Sequence, residues 1–162
     1  MLVVVGGVSG SGKTTIGTLL AERLGVDFFD ADDFHSLSNV EKMTSGIPLD
    51  DADRQPWLES LASELAAWEQ EGGAVLACSA LKESYRATLE SRCSEPVCWI
   101  FLVGNEKLLA ERLSSRKGHY FDPSLLQSQL DMLEVSVQGW QIDIDASPQE
   151  IVGKILERLH GA

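Results

Sequence analysis

Short apolar runs alternate with longer amphipathic stretches along this chain of 162 residues. Uninterrupted apolar runs are typical of strands buried on both faces of a sheet, whereas apolar residues recurring every three or four positions indicate helices. The runs predict strands at 2–5, 26–29, 74–78, 97–103 and 140–144, and the amphipathic stretches predict helices at about 13–24, 50–71, 82–92 and 105–116, with two more beginning near 122 and 147. This alternation predicts a three-layer α/β fold, in which helices cover both faces of a five-stranded parallel sheet.

Turn and capping residues mark the limits of several predicted helices. Gly25 is placed to end the first helix, and Asn105 can cap the helix that follows the fourth strand. Ser147 and Glu150 have the spacing of a capping box at the start of the last helix. Because no repeat, low-complexity tract or linker interrupts the series, we predict a single domain over residues 1–162.

The charge balance is strongly acidic, with 13 Lys and Arg against 25 Asp and Glu and a formal net charge of −12. Such a charge repels nucleic acids and anionic lipids, so neither is expected as the main partner. No stretch reaches the ~18 apolar residues of a membrane span, and the N-terminus lacks the basic region of a signal peptide. The three cysteines lack metal-ligand spacing and favour a reducing compartment. We therefore predict a cytoplasmic protein.

A glycine-rich segment joins the first predicted strand to the first predicted helix. It fits G-x-x-x-x-G-K-[ST] at every fixed position, in the strand–turn–helix context that this phosphate-binding loop requires. The alternative, a glycine-rich turn with a chance lysine, does not explain that context. Lys13 would reach the β- and γ-phosphates of ATP as a catalytic residue, and Thr14 would hold Mg²⁺. The predicted nucleotide-binding residues are Gly7, Val8, Ser9, Gly10, Ser11, Gly12, Lys13, Thr14 and Thr15.

Two aspartates follow the second predicted strand, whereas the third strand ends without an acidic residue. Asp30 and Asp32 are two positions apart, so in an extended chain both project to the same side. One can join a metal shell while the other faces the acceptor hydroxyl, as phosphoryl transfer requires. The alternatives are an acidic turn on an acidic protein, or a helix cap at Asp33. His35 is either a substrate contact or a structural hydrogen-bonding residue.

Most basic residues of this acidic chain lie in or beside the loops that follow the predicted strands, where ligands of parallel sheets bind. Lys82 and Arg86 are four positions apart on one predicted helix after a central strand, which favours a substrate role over surface solvation. Arg112 and Arg116 also share a helix face, and a connection at about 116–122 contains a glycine and could close as a lid. Alternatively, the positive charges of Arg112 and Arg116 interact with the dipole at the C-terminus of their helix. The basic set is Lys13, Lys42, Arg54, Lys82, Arg86, Arg112, Arg116 and Lys117.

Five blocks of residues, in matching order and covering most of the chain, resemble the gluconokinase family of small P-loop carbohydrate kinases. The first block alone would indicate only a phosphate-binding loop, whereas the third and fourth are much more specific. The blocks are 7–14; 30–35 with Asn39, Lys42 and Met43; 46–58; 78–82 with Tyr85 and Arg86; and 116–121 with Ser128, Gln129, Leu133 and Glu134.

The resemblance implies a nucleoside-kinase-like P-loop fold and the conversion of ATP and D-gluconate into ADP and 6-phosphogluconate, with Mg²⁺. It implies that Asp32 orients or deprotonates the primary hydroxyl, that Asp30 lies on the Mg²⁺ side, and that a helical segment at about 33–71 binds substrate. Arg116, as a catalytic residue, and Arg112 would contact the nucleotide. Family members are often dimers, so the resemblance allows a homodimer. The implied substrate contacts are Asp32, His35, Lys42, Arg54, Lys82, Arg86 and His119.

Three alternative functions stay open at this point. A shikimate kinase-like enzyme would share the fold, although by resemblance that family has a glycine-rich turn where this chain has residues 78–82. A nucleoside monophosphate kinase is the second alternative. A non-catalytic ATP-binding regulator is the third, and the presence of Lys13 and of both aspartates counts against it.

Overall fold

A parallel sheet forms the centre of the computed structural model, which describes residues 1–8, 10–105, 107–109, 111, 125–134 and 139–161. Its strands are β1 (Leu2–Gly6), β2 (Asp27–Asp30), β3 (Ala74–Ala77), β4 (Cys98–Val103) and β5 (Trp140–Asp143). The strand order is β2-β3-β1-β4-β5, and every neighbouring pair is parallel. The predicted five-stranded parallel sheet is confirmed, with each strand displaced by at most one residue at either end.

Helices fill the connections between these strands. In the described ranges they are α1 (Lys13–Leu24), α2 (Leu37–Thr44), α3 (Asp51–Gln70), α4 (Glu83–Glu90), α5 (Leu125–Met132) and α6 (Pro148–Gly161), with a 3₁₀ helix at Ala31–Phe34. The apolar periodicity did not predict the 3₁₀ helix or α2, because both are short and largely polar. No helix within the described ranges combines the length and the apolar character needed to cross a membrane.

The path of the chain places helices on both faces of the sheet. From β1 the chain passes through α1 to β2 at one edge, and then returns through α3 to β3. Right-handed crossovers that run in opposite directions put their helices on opposite faces. In agreement, α1 packs against α6, and α3 packs against α4. The three-layer α/β fold is therefore confirmed.

Two adjacent aromatic residues of β2 pack against helices on opposite faces of the sheet. Phe28 and Phe29 point to opposite faces because side chains alternate along a strand. Phe29 stacks on Trp68 of α3, with ring centroids 4.0 Å apart, and Trp68 belongs to the buried stripe of α3. On the other face Phe28 packs so closely on Gly17 of α1 that a Cβ there would lie 2.5 Å from its ring. The edge strand that carries Asp30 is thereby clamped between two helices.

The predicted capping residues act as expected where the structure describes them. Gly25 ends α1 in a left-handed conformation, with φ of +72°. Asn105 Oδ1 accepts the N–H of Leu108 at 2.8 Å, and Ser147 Oγ accepts the N–H of Glu150 at 3.2 Å. The remainder of the helix predicted from Asn105, the helix start near 122 and the connection at 116–122 lie outside the described residues.

Candidate active site

The loop after β1 curls tightly at the carboxyl end of the sheet. Gly7, Gly10 and Gly12 have φ of +138°, +86° and +93°, which side-chain-bearing residues rarely adopt. A Cβ on Gly7 would lie 2.8 Å from the carbonyl oxygen of Leu102. The buried Ser11 hydroxyl closes the loop by donating to the Val8 carbonyl at 2.7 Å. A tight turn of this kind is typical of loops that present backbone N–H groups to a phosphate. Ser9 lies outside the described residues.

The lysine of this loop lies across it. Lys13 Nζ donates to the carbonyl oxygens of Gly7 and Val8 at 3.0 and 3.1 Å. Gly12 occupies the N-cap of α1 and offers no side chain to the first N–H groups of the helix. A helix N-terminus with an adjacent ammonium group attracts anions through its dipole and its N–H donors. Thr15 follows on the first turn of α1 and is exposed.

A hydroxyl and a carboxylate meet beside the loop. Thr14 Oγ1 donates to Asp30 Oδ2 at 3.2 Å, although the two residues belong to α1 and to the end of β2. Oxygen ligands of this kind suit Mg²⁺, which typically takes one or two protein ligands and completes its octahedron with water and phosphate oxygens. The pair therefore fits the predicted magnesium site.

The expected geometry of the acidic pair is wrong in one respect. The chain does not stay extended after Asp30, because Asp30 Oδ1 accepts the backbone N–H of Asp32 at 2.9 Å and caps the 3₁₀ helix. Asp30, and not Asp33, is therefore the cap. The carboxylate of Asp30 contacts Thr14 and the backbone N–H of Asp32, whereas Asp32 is an exposed residue of the 3₁₀ helix. The difference favours a division of roles between them.

The two lysines predicted to bind substrate both lie beside the start of α3. Lys42 of α2 forms an ion pair with Asp53 at 2.9 Å and thereby joins α2 to the capping box of α3. Lys82 precedes α4, and its ammonium lies 3.1 Å from the carboxylate of Asp51. The ammonium groups of both lysines are thus held by aspartates at the start of α3. Their proposed contact with substrate stays a prediction.

Arg54 is a buried cation, 8% exposed, on the first turns of α3. Its Nη1 donates to the Leu49 carbonyl at 2.5 Å and lies 3.4 Å from the Tyr85 hydroxyl. Tyr85 in turn donates to Asp51 at 2.5 Å. Within the described ranges Arg54 forms no ion pair at 4 Å or less. Burial of a cation is costly unless it is paired, so this guanidinium favours an anionic ligand nearby.

The side chains of Lys82 and Arg86 have different partners, although the two residues are one turn apart at the start of α4: Lys82 contacts Asp51, whereas Arg86 contacts backbone carbonyls. Arg86 is buried and donates to the carbonyl oxygens of Ala80, Leu81 and Glu134 at 2.9, 3.1 and 2.6 Å. These bonds join the loop after β3 to the segment after α5. Most of its donors are thereby used on the backbone, which supports a structural contribution besides the predicted substrate contact.

His35 follows the 3₁₀ helix and stacks on Trp57 of α3, with ring centroids 4.1 Å apart. Burial, together with the nearby positive charge of Arg54, lowers the pKa of His35 from about 6.5 to about 4. Trp57 fixes the same turn by donating from Nε1 to the Ala31 carbonyl at 2.7 Å. The imidazole is therefore neutral at pH 7.

Acid is expected to destabilise the protein partly through His35. The unfolded chain binds a proton at this residue with a pKa near 6.5, and the folded protein only near 4, so stability falls as the pH drops through that window. The loss attributable to His35 is on the order of 2 kcal/mol at pH 4.5. Urea unfolding at pH 7.0 and 4.5 should show a smaller loss in His35→Gln than in the wild type. Equal losses in both proteins would contradict the assignment.

Two residues of the site were not predicted from the sequence. Asp51 and Tyr85 link the start of α3 to α4, and neither was predicted as a site residue. Asp51 resembles any acidic residue in a first helical turn, and only the approach of α4 gives it partners. Several predicted residues lie outside the described ranges and keep their predicted roles, namely Arg112, Arg116, Lys117 and His119.

Comparisons with known proteins identify relatives of this chain in sequence and in fold. The family model described as shikimate kinase matches residues 9–160. A probable gluconokinase of Dictyostelium discoideum is 45% identical over 98% of this chain and 86% of its own length. A sugar kinase structure from Janibacter superposes with a TM-score of 0.92 and 42% identity, covering 98% of this chain and 93% of that one. A gluconokinase structure from Sinorhizobium meliloti gives a TM-score of 0.84 and 39% identity, covering 98% and 95%.

The degree of similarity separates two branches of the fold. A shikimate kinase structure from Aquifex aeolicus is 20% identical with a TM-score of 0.63, covering 99% of this chain and 97% of that one, which shows a shared fold alone. The gluconokinases share about twice that identity over nearly the whole chain. Because the similarity to them includes both the overall fold and the sequence over nearly the whole chain, the chain belongs to the gluconokinase family, within the shikimate kinase-like P-loop kinases.

Proposed function

We propose that the protein transfers the γ-phosphoryl group of ATP to the primary hydroxyl of D-gluconate, giving 6-phosphogluconate and ADP. The observation that carries the choice of an anionic acceptor is the buried guanidinium of Arg54, which forms no ion pair at 4 Å or less with any described residue, in a protein of net charge −12. A sugar carboxylate would provide a directly bound counter-charge through charge-assisted hydrogen bonds. The names of the related gluconokinases support the same acceptor.

The residues around the loop divide the work of the transfer. Lys13 and the N–H groups of the loop would hold the β- and γ-phosphates, while Asp32 would accept the proton of the attacking hydroxyl. The new oxygen–phosphorus bond forms as the bond to the β–γ bridging oxygen breaks, and ADP leaves with that electron pair. Thr14 and Asp30 would hold Mg²⁺, which when bound would neutralise charge on the phosphate oxygens.

The roles of residues outside the described ranges, the cellular compartment and the oligomeric state are proposed from the sequence alone. Arg112 and Arg116 would contact the nucleotide, and the segment at about 116–122, which includes His119, would close over both substrates. We assign the reaction to the cytoplasm because of the charge and cysteine pattern described above. A homodimer stays a prediction.

A coupled ADP-release assay with Mg-ATP tests the acceptor directly. The panel would contain D-gluconate, related aldonic acids, glucose, shikimate and nucleoside monophosphates. Saturable turnover with D-gluconate alone would support the proposal, whereas turnover with shikimate or a nucleotide would replace the acceptor and keep the kinase. ATP binding without turnover on any acceptor would favour a regulator.

Replacement of Arg54 by alanine is expected to raise the KM for gluconate by about tenfold or more, because the carboxylate loses a charge-assisted partner. The KM for ATP should change little. Arg54→Lys retains the positive charge and serves as the matched variant. Since Arg54 is buried, thermal unfolding of each variant is measured in parallel. A larger rise in the KM for ATP than for gluconate would reject Arg54 as a substrate clamp.

A further inference from the structure

The imidazole of His35 is held by one residue from each of two helices. Trp57 of α3 stacks against its plane, with an interplanar angle of 15°. Asn39 of α2 places its amide Nδ2 3.3 Å from the ring Nδ1. The ring edge that carries Nε2 is therefore the edge turned away from Asn39. This arrangement fixes both the plane of the ring and its rotation.

The orientation of the Asn39 amide decides the direction of that hydrogen bond. Asn39 is 5% exposed, and its amide lies 2.8 Å from the backbone carbonyl oxygen of Asp53. A carbonyl can only accept, so the amide nitrogen and not its oxygen must face Asp53. The same nitrogen then has its second N–H for His35 Nδ1, which must accept. A reversed amide would instead place two oxygens against each other at Asp53.

An imidazole nitrogen accepts a hydrogen bond only when it carries no proton. With Nδ1 unprotonated, the ring of His35 is neutral and its single proton resides on Nε2. The lowered pKa of His35, caused first by burial and then by Arg54, agrees with a ring that stays neutral at pH 7. The free edge of the ring therefore offers one N–H donor and no acceptor.

We propose that Asn39 is a positioning residue that locks His35 in the Nε2–H tautomer, and that His35 thereby donates a hydrogen bond to an oxygen of the acceptor substrate. The second part rests on the proposed function, because that oxygen belongs to the sugar acid beside Asp32. The backbone N–H of His35 lies 3.3 Å from the Asp32 carbonyl, so the two residues share one turn. In this state His35 cannot take the hydroxyl proton, which leaves that step to Asp32.

The tautomer is measured first, on the complete wild-type chain without substrate. Long-range ¹H–¹⁵N correlation spectra at pH 7 should show His35 with Nδ1 unprotonated and Nε2 protonated. Asn39→Asp keeps the shape of the side chain but presents only acceptors, so it should move the proton to Nδ1. Ser38→Ala, an exposed neighbour on α2, is the matched control and should leave the spectrum unchanged. A wild-type ring with its proton on Nδ1 would overturn the proposal whatever the activity.

The contact with substrate is then read from kinetics. Asn39→Asp and His35→Ala should each raise the KM for gluconate by about tenfold, the loss of one hydrogen bond, and leave the KM for ATP unchanged. The double variant should be no worse than His35→Ala, because Asn39 acts through His35. His35→Gln retains an N–H donor and should recover part of the affinity, which provides a test even if Asn39→Asp folds poorly.

The outcomes separate this proposal from the proposed function. Additive effects in the double variant, or an unchanged KM in a variant whose ring has switched tautomer, would overturn the role of His35 as a donor to substrate. Failure of the wild type to phosphorylate any sugar acid would overturn the proposed function together with that contact. The spectrum would still decide the tautomer, since it is recorded without substrate.

Discussion

Replacement of Lys13 by alanine is expected to lower kcat by about 10³ or more, to below detection in an ADP-release assay. The ammonium group lies across the loop between the Gly7 and Val8 carbonyls, at the N-terminus of α1. From there it can reach the β- and γ-phosphates and stabilise charge that develops during transfer. Since the side chain is only partly buried, the variant should fold normally.

The matched control for this experiment is Lys154→Ala, which removes an exposed lysine of α6. It should retain wild-type kinetics. Circular dichroism and thermal unfolding of both variants would establish that they are folded. Turnover of Lys13→Ala near the wild-type rate would contradict the assignment of the loop as the phosphate-binding element of a kinase.

Asp32→Asn is expected to lower kcat by about 10² or more, because the amide cannot accept the proton of the attacking hydroxyl. ATP affinity should change little, since the metal-side pair of Thr14 and Asp30 is preserved. The backbone N–H that Asp32 donates to Asp30 does not depend on the side chain, so the turn should persist. Steady-state kinetics and equilibrium nucleotide binding measure the two effects separately.

Asp33→Asn provides the control on the same 3₁₀ helix, since Asp33 is also exposed and carries the same charge. Its kcat should stay close to that of the wild type. Weakened ATP binding with a normal kcat in Asp32→Asn would move Asp32 to the nucleotide side. Equal losses in both variants would indicate a general charge effect of the acidic turn.

The sheet and the phosphate-binding loop could be predicted closely because their signals are local. The apolar runs of β1 and β4 are buried and correspond to the predicted strands within one residue at either end. The loop motif contains its glycines at the positions where φ is positive, at Gly7 and Gly12. Each of these features depends on a few consecutive residues, so the chain encodes them without reference to distant segments.

The acidic turn was predicted only in part, because two local rules compete there. Alternation along a strand would keep Asp30 and Asp32 on one side, whereas aspartate also caps short helices by accepting a backbone N–H. The cap prevails, with Asp30 accepting from Asp32 at 2.9 Å. The spacing of the two aspartates does not show which rule prevails. The outcome depends on whether β3 continues to pair with β2 beyond Asp30, and the pairing ends there.

The order of the strands and of the helices with a clear apolar periodicity, the phosphate-binding loop, the acidic character and the resemblance to gluconokinases all follow from the amino-acid sequence alone. The partners of other polar groups depend on how distant segments pack: Arg86 bonds to the Glu134 carbonyl, and Tyr85 bonds to Asp51. Periodicity, capping and glycine conformation are properties of a short segment. A hydrogen bond between residues 34 or 48 positions apart exists only once packing has brought their segments together, and burial then favours a partner for most polar groups there.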